Sequence, residues 1–199
     1  MAAHIDSIAS SGIARVTKAD FYEQLRWGDL LFCSGRAPVS RAIEDFTHSP
    51  FSHVLFCWLP AHAGQWLTLE ATLARGVHVG KLRDYVDAYD GDLALARRPA
   101  VGDMQKFDEL NAGFDVLEDG YDWEQEVTMV GHKLLKLLPV AHPKGEYYCS
   151  GLMYVMSLAS RSPLQFPGPE LPTPEQNWTD PSVEPLCALM KPAQSSKAA

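Results

Sequence analysis

Basic residues are scarce in this chain of 199: 17 Lys and Arg stand against 25 Asp and Glu, a formal net charge of −8. Nucleic-acid binders neutralise phosphates with clustered Lys and Arg, so this balance argues against a nucleic-acid partner. Apolar runs are short. None approaches the roughly 20 residues that cross a bilayer, so no transmembrane segment is expected. Met1 to Ala14 lack a basic stretch followed by an apolar one, which excludes a standard signal peptide and predicts a cytoplasmic location. Export would then require delivery by another route. The four cysteines, Cys33, Cys57, Cys149 and Cys187, form no C-x-x-C pair, which speaks against a local zinc cluster. With no secretory signal the thiols are expected to be reduced. Missing too are the H-E-x-x-H, G-x-S-x-G, Walker and dinucleotide-binding glycine patterns, which removes zinc-peptidase, serine-hydrolase and nucleotide-binding readings.

What is present is globular. Hydrophobic residues make up 46% of the chain and charged residues 21%, enough to build one core without disulfides. Residues 1–15 read as a flexible N-terminus, 16–162 as the domain, and 163–199 as a tail. Eight of the 14 prolines fall after residue 162, so that tail reads as an extended wrap or partly disordered. Thr17-Lys18-Ala19-Asp20 resembles a capping box and opens a helix to about Arg26. Strands are predicted at 30–34, 53–59, 66–71, 76–79 and 92–97, with the second and third joined by a loop short enough for an antiparallel hairpin. Helical spacing marks Val39 to Phe46, Lys81 to Ala88, Met104 to Leu117, Trp123 to Leu138 and Cys149 to Ser160. Pro139 and Pro143 frame a loop. Strands come first and helices after, the order of an α+β fold.

Cys149 stands out among the thiols. Cys33 and Cys57 sit inside apolar runs and read as buried small hydrophobes. Cys149 instead opens a helix, where free N–H groups and the positive end of the helix dipole favour a thiolate and can bind an oxyanion. It needs a base and a group to orient that base. His53, at the rim of an apolar strand, is the candidate base. Glu70 sits at the matching end of the neighbouring strand, where an antiparallel hairpin brings it near His53. The sequence leaves the register open, and a one-residue slip would send Glu70 to the other face. His62, His78 and His132 read as surface or packed histidines.

Gly28-Asp29-Leu30-Leu31-Phe32, Ser49-Pro50-Phe51-Ser52-His53-Val54, Leu69-Glu70-Ala71, Gly76-Val77, Tyr121-Asp122-Trp123 and Tyr148-Cys149-Ser150-Gly151-Leu152 occur in that order. Together they resemble the permuted, YiiX/YebB-like branch of the NlpC/P60 papain-like superfamily, and Thr173-Pro174-Glu175 resembles its exit segment. The resemblance implies a circularly permuted papain-like fold, a small antiparallel sheet or half-barrel packed against helices. It implies a cysteine hydrolase with Cys149 as nucleophile, His53 as base and Glu70 orienting His53, and needing no cofactor or metal. Tyr121, Tyr148 and Ser52 become candidates for lining the cleft or binding the oxyanion. The branch often has Cys-Ser-Glu-Leu where this chain has Cys149-Ser150-Gly151-Leu152, which bears on substrate rather than nucleophile. Substrates implied are a peptide, including a cell-wall peptide, an acyl amide or a lipid ester. Lecithin retinol acyltransferase-like relatives carry an Asn-Cys-Glu-His-Phe type motif that this chain lacks, which ranks amide hydrolysis above lipid acyl transfer. A binding module with an idle cleft is the rival of another class.

Overall fold

The computed structural model describes residues 8, 12–120, 147–165 and 172–190. Strands β1 (Leu30–Gly35), β2 (His53–Trp58), β3 (Leu67–Thr72), β4 (Gly76–Lys81), β5 (Gly91–Arg97) and β6 (Glu184–Leu189) form one antiparallel sheet in the order β4-β3-β2-β1-β5-β6. The helices are α1 (Lys18–Gln24), α2 (Pro38–Thr47), α3 (Leu82–Ala88), α4 (Asp103–Phe114), α5 (Cys149–Ala159) and the short α6 (Pro174–Trp178). The fold is thus mixed α+β, built on an open six-stranded sheet. At α1 the capping box closes with Asp in the acidic place: the Asp20 amide donates to Thr17 Oγ1, and the Thr17 amide donates to Asp20 Oδ2.

Side chains alternate across the sheet and build two cores. Leu30, Phe32, Val54, Phe56, Leu69, Ala71, Ala94 and Ala96 share one core with Leu110 of α4 and with Leu152, Met153 and Met156 of α5. Leu31, Cys33, Leu55, Cys57, Leu93, Leu95, Cys187 and Leu189 share the other with Phe21 and Leu25 from the α1 side and Leu82 and Val86 of α3. Helices therefore cover both faces, which is why β1 and β2 read as continuous apolar runs. Each large side chain buried in this way contributes about 1.5–3 kcal/mol.

Three features differ from the sequence expectations. First, the stretch after residue 162, expected as an extended wrap or partly disordered tail, holds a strand: residues 184–189 return as β6 beside β5. Pro185 masks this strand in the sequence, because proline cannot donate to a ladder. It is accommodated on an edge strand, opposite Ala96, where the register shifts. Second, α4 does not bury the apolar stripe its spacing suggested. Met104, Phe107 and Leu117 are exposed, while Leu110, Gly113 and Glu109 are buried, Glu109 in an ion pair with Arg98. Third, residues 174–178 form a helical turn capped by Thr173. Tyr121, His132, the helix expected over Trp123 to Leu138 and the loop framed by Pro139 and Pro143 lie outside the described residues. Among the described residues no helix is long and apolar enough to cross a membrane.

Candidate active site

The site forms where two strands part. The β2–β3 ladder runs from Trp58↔Leu67 through Cys57↔Thr68 to Phe56↔Leu69. Beyond it stand His53, which opens β2, and Glu70 of β3. Glu70 remains paired on its other side, opposite His78 of β4. This register has the parity that puts Glu70 on the same face as His53. The His53 and Glu70 side chains meet, with Nε2 3.1 Å from Oε2. Cys149 is the first residue of α5 and lies 4% exposed, near enough to the His53 imidazole to act on its charge. With Nε2 engaged by Glu70, Nδ1 is the nitrogen left to exchange a proton with the sulfur. The structure thus brings Cys149, His53 and Glu70 together from three separate elements.

Glu70 is the anchor of this group. It is 1% exposed, and both carboxylate oxygens are occupied. Oε1 accepts from Thr68 Oγ1 at 2.8 Å, and Oε2 accepts from the Tyr85 hydroxyl of α3 as well as from His53. His78 Nε2 stands 3.9 Å from Oε1, while its Nδ1 is held 2.9 Å from the Gly76 carbonyl oxygen. Room for the carboxylate comes from Gly80, across from Thr68. A Cβ there would fall 2.5 Å from Thr68 Oγ1 and 2.6 Å from Glu70 Oε1. Thr68, His78, Gly80 and Tyr85 carried no signal of this role in the sequence. Tyr85 read only as one residue of a short helix, although its place five residues past Gly80 on α3 sets it over β3.

The electrostatics follow from this packing. Burial alone would raise Glu70, but the hydrogen bond and charge of His53, with the Tyr85 and Thr68 donors, hold its carboxyl below the ordinary range. Burial alone would lower His53, yet its hydrogen bonds and charge interactions with Cys149 and Glu70 push the imidazole up to about 10. The pair is therefore imidazolium and carboxylate at neutral pH.

The C-terminal segment fixes the start of α5. Ser150 Oγ donates to the Pro172 carbonyl at 2.7 Å, and Asn177 Nδ2 donates to the Ser150 carbonyl at 3.3 Å. Ser49 Oγ donates to Glu175 Oε2 at 3.1 Å, and Trp178 packs on Phe32 and Phe51 with ring centroids 5.0 and 4.7 Å apart. Tyr148, the N-cap of α5, is buried with its ring against Gly151, where a Cβ would meet ring carbons at 2.9 Å. A side chain at position 151 would therefore have to displace that ring. Ser52 does not join the group. Its hydroxyl accepts from the Gly35 amide at 3.3 Å and donates to the Cys33 carbonyl at 3.4 Å, fastening the approach to β2 onto β1.

No family model matches the sequence, and no curated protein matches it. Among solved structures it is similar to the crystal structure of metalloprotein YiiX from Escherichia coli O157:H7, a DUF1105 protein. The two share 16% identity over 84% of this chain and 99% of that chain, with a TM-score of 0.64. The fold is therefore YiiX-like. The donors of this site do not fit a metal ion. Both Glu70 oxygens already accept hydrogen bonds, and among the described residues no group of three or more His, Cys, Asp or Glu is disposed to hold one. We derive no step through a metal.

Proposed function

We propose that the chain is a thiol hydrolase of the permuted papain-like type that cleaves an amide bond in a peptide or acyl amide. One observation carries the reading: a cysteine at the first position of a helix lies beside a histidine whose Nε2 is held by a buried glutamate. The order of the three along the chain, histidine, glutamate and then cysteine, is the permuted one. The N-cap of α5 makes no side-chain capping hydrogen bond, and N–H groups of a helix's first turn are suited to stabilising an oxyanion formed at Cys149.

The Cys149 sulfur attacks the carbonyl carbon, and the carbonyl π electrons move to oxygen, which the first-turn N–H groups stabilise. As the tetrahedral intermediate collapses, His53 donates its proton to the departing nitrogen and a thioester remains. Neutral His53 then takes a proton from water. The resulting hydroxide attacks the thioester, the acid leaves, and the thiolate–imidazolium pair is restored. A group held as imidazolium suits an amide, whose amine leaves only when protonated, better than an ester.

The test is site-resolved iodoacetamide labelling of the native chain between pH 5 and 8, beside His53→Ala and Cys149→Ala. Cys149 is expected to label at least about tenfold faster than Cys33, Cys57 or Cys187 at pH 6, and to lose that advantage in His53→Ala. A folded Cys149→Ala chain is expected to lose all turnover of a peptide or acyl-amide substrate. Uniform slow labelling of the four thiols would replace the hydrolase with a binding module.

A further inference from the structure

We infer that Tyr85 is a positioning residue of this site: its hydroxyl, with that of Thr68, locks the Glu70 carboxylate so that Oε2 faces the imidazole of His53. The inference takes its purpose from the thiol-hydrolase reading, but its geometry stands apart from it. The Tyr85 hydroxyl donates to the same oxygen that His53 Nε2 contacts. The two rings lie nearly parallel, 16° apart with centroids at 6.2 Å, so Tyr85 also walls one side of the imidazole. Thr68 Oγ1 holds the second oxygen from within β3. A carboxylate on a flexible side chain has two rotatable bonds before its final torsion. Donors on both oxygens, from a strand and from a helix, remove that freedom before any substrate arrives.

The titratable groups around the carboxylate are few. His53 comes from β2, His78 from β4 at 3.9 Å, and Tyr85 from α3; the buried Cys57 of β2, opposite Thr68, feels the Glu70 charge, Tyr89 packs beside Tyr85, Cys149 lies beyond His53, and Cys33 acts on Tyr85. Burial and the charge of Glu70 raise Tyr85, which keeps its hydroxyl a donor throughout the pH range of interest. Tyr85 is therefore a fixed donor beside a group that exchanges its proton.

The experiment follows the His53 imidazole by histidine-labelled NMR across pH in the full chain, with iodoacetamide labelling of Cys149 alongside. Tyr85→Phe keeps the ring and removes only the donor. It is expected to lower the His53 midpoint by about one unit and to slow Cys149 labelling at pH 6 about tenfold. Glu70→Gln is expected to lower both further, and the Tyr85→Phe/Glu70→Gln double variant to add nothing, because Tyr85 acts only through Glu70. Thr68→Val, which removes the donor to Oε1, gives a smaller loss of about threefold and serves should Tyr85→Phe fail to fold. An unmoved His53 midpoint in Tyr85→Phe, or in Thr68→Val if that is the variant that folds, overturns the inference. Failure of the hydrolase reading looks different: Cys149 labels no faster than Cys33 in the wild type, while Tyr85→Phe still shifts His53.

Discussion

Asp29 and Glu70 are both buried carboxylates, set toward opposite ends of β2, and their partners make them different devices. Asp29 is 0% exposed and held by a fork: Arg97 Nε donates to Oδ1 at 2.7 Å and Nη2 to Oδ2 at 2.9 Å, with the Arg26 amide on Oδ2 at 2.7 Å. Arg97 also donates to the Gln24 carbonyl, tying the end of α1 to β5. A guanidinium never releases its proton under these conditions, so this pair fixes geometry and exchanges nothing. Burial raises Asp29 above its ordinary range, with Arg97 only opposing that rise. Glu70 faces an imidazole instead, and its carboxyl is lowered. Burial is shared; only one pair can pass a proton onward, and that pair touches a thiol.

Removing each partner in turn should separate the two. Arg97→Ala leaves Asp29 buried and unpaired and should cost about 3 kcal/mol in urea unfolding, while Cys149 labelling in the folded fraction stays near wild type. The Glu70–His53 pair should instead show itself in pH. His53 is raised in the folded chain, so its contribution is complete below the unfolded value of 6.5 and fades as pH rises toward about 10. Glu70 is lowered, so its contribution is present above the unfolded value of 4.5 and fades only as pH falls through the lower folded value. The stability advantage of wild type over His53→Gln should therefore shrink by a few kcal/mol between pH 6.5 and 10 in paired denaturation series. A constant difference would mean that His53 is neutral in the folded chain. The smallest effect belongs to Gly80→Ala, whose methyl crowds Thr68 and Glu70 from β4. It should cost about 1 kcal/mol and slow Cys149 labelling severalfold, and Gly64→Ala, in an open loop, should leave labelling unchanged.

Much of the fold was legible because local pattern and burial agree. The apolar runs beginning at Leu30 and His53, and the glycine at 76, mark strands that appear at those places. The Thr17–Asp20 signature marks a helix start, and Tyr148 immediately precedes the helix that Cys149 opens. Of the candidate site, Cys149 and His53 stood out because each opens a regular element with a chemically unusual side chain, and Glu70 because a hairpin could bring it near His53, although the sequence left its face open. Tyr85 and Thr68 were not, since a tyrosine on a short helix and a threonine in a strand look ordinary until the sheet is assembled. β6 escaped for a related reason. Pro185 contradicts a strand locally, and only the irregular edge of β5 accommodates it.

The placement of β6 has a kinetic consequence. Leu189 pairs with Leu93, and Asn177 and Pro172 grip the first turn of α5, so the last described part of the chain completes the sheet and seats that helix. His53, Glu70 and Tyr85 lie within one compact stretch of chain, where contacts close quickly. Cys149 and its clamp lie far along the chain from them, and closing a contact over that sequence separation is entropically slower. On a growing chain the histidine and its carboxylate can therefore meet well before the sulfur is delivered to them. The meeting of Cys149 with His53 then becomes a late event, one that waits for α5 and for the strand that follows it.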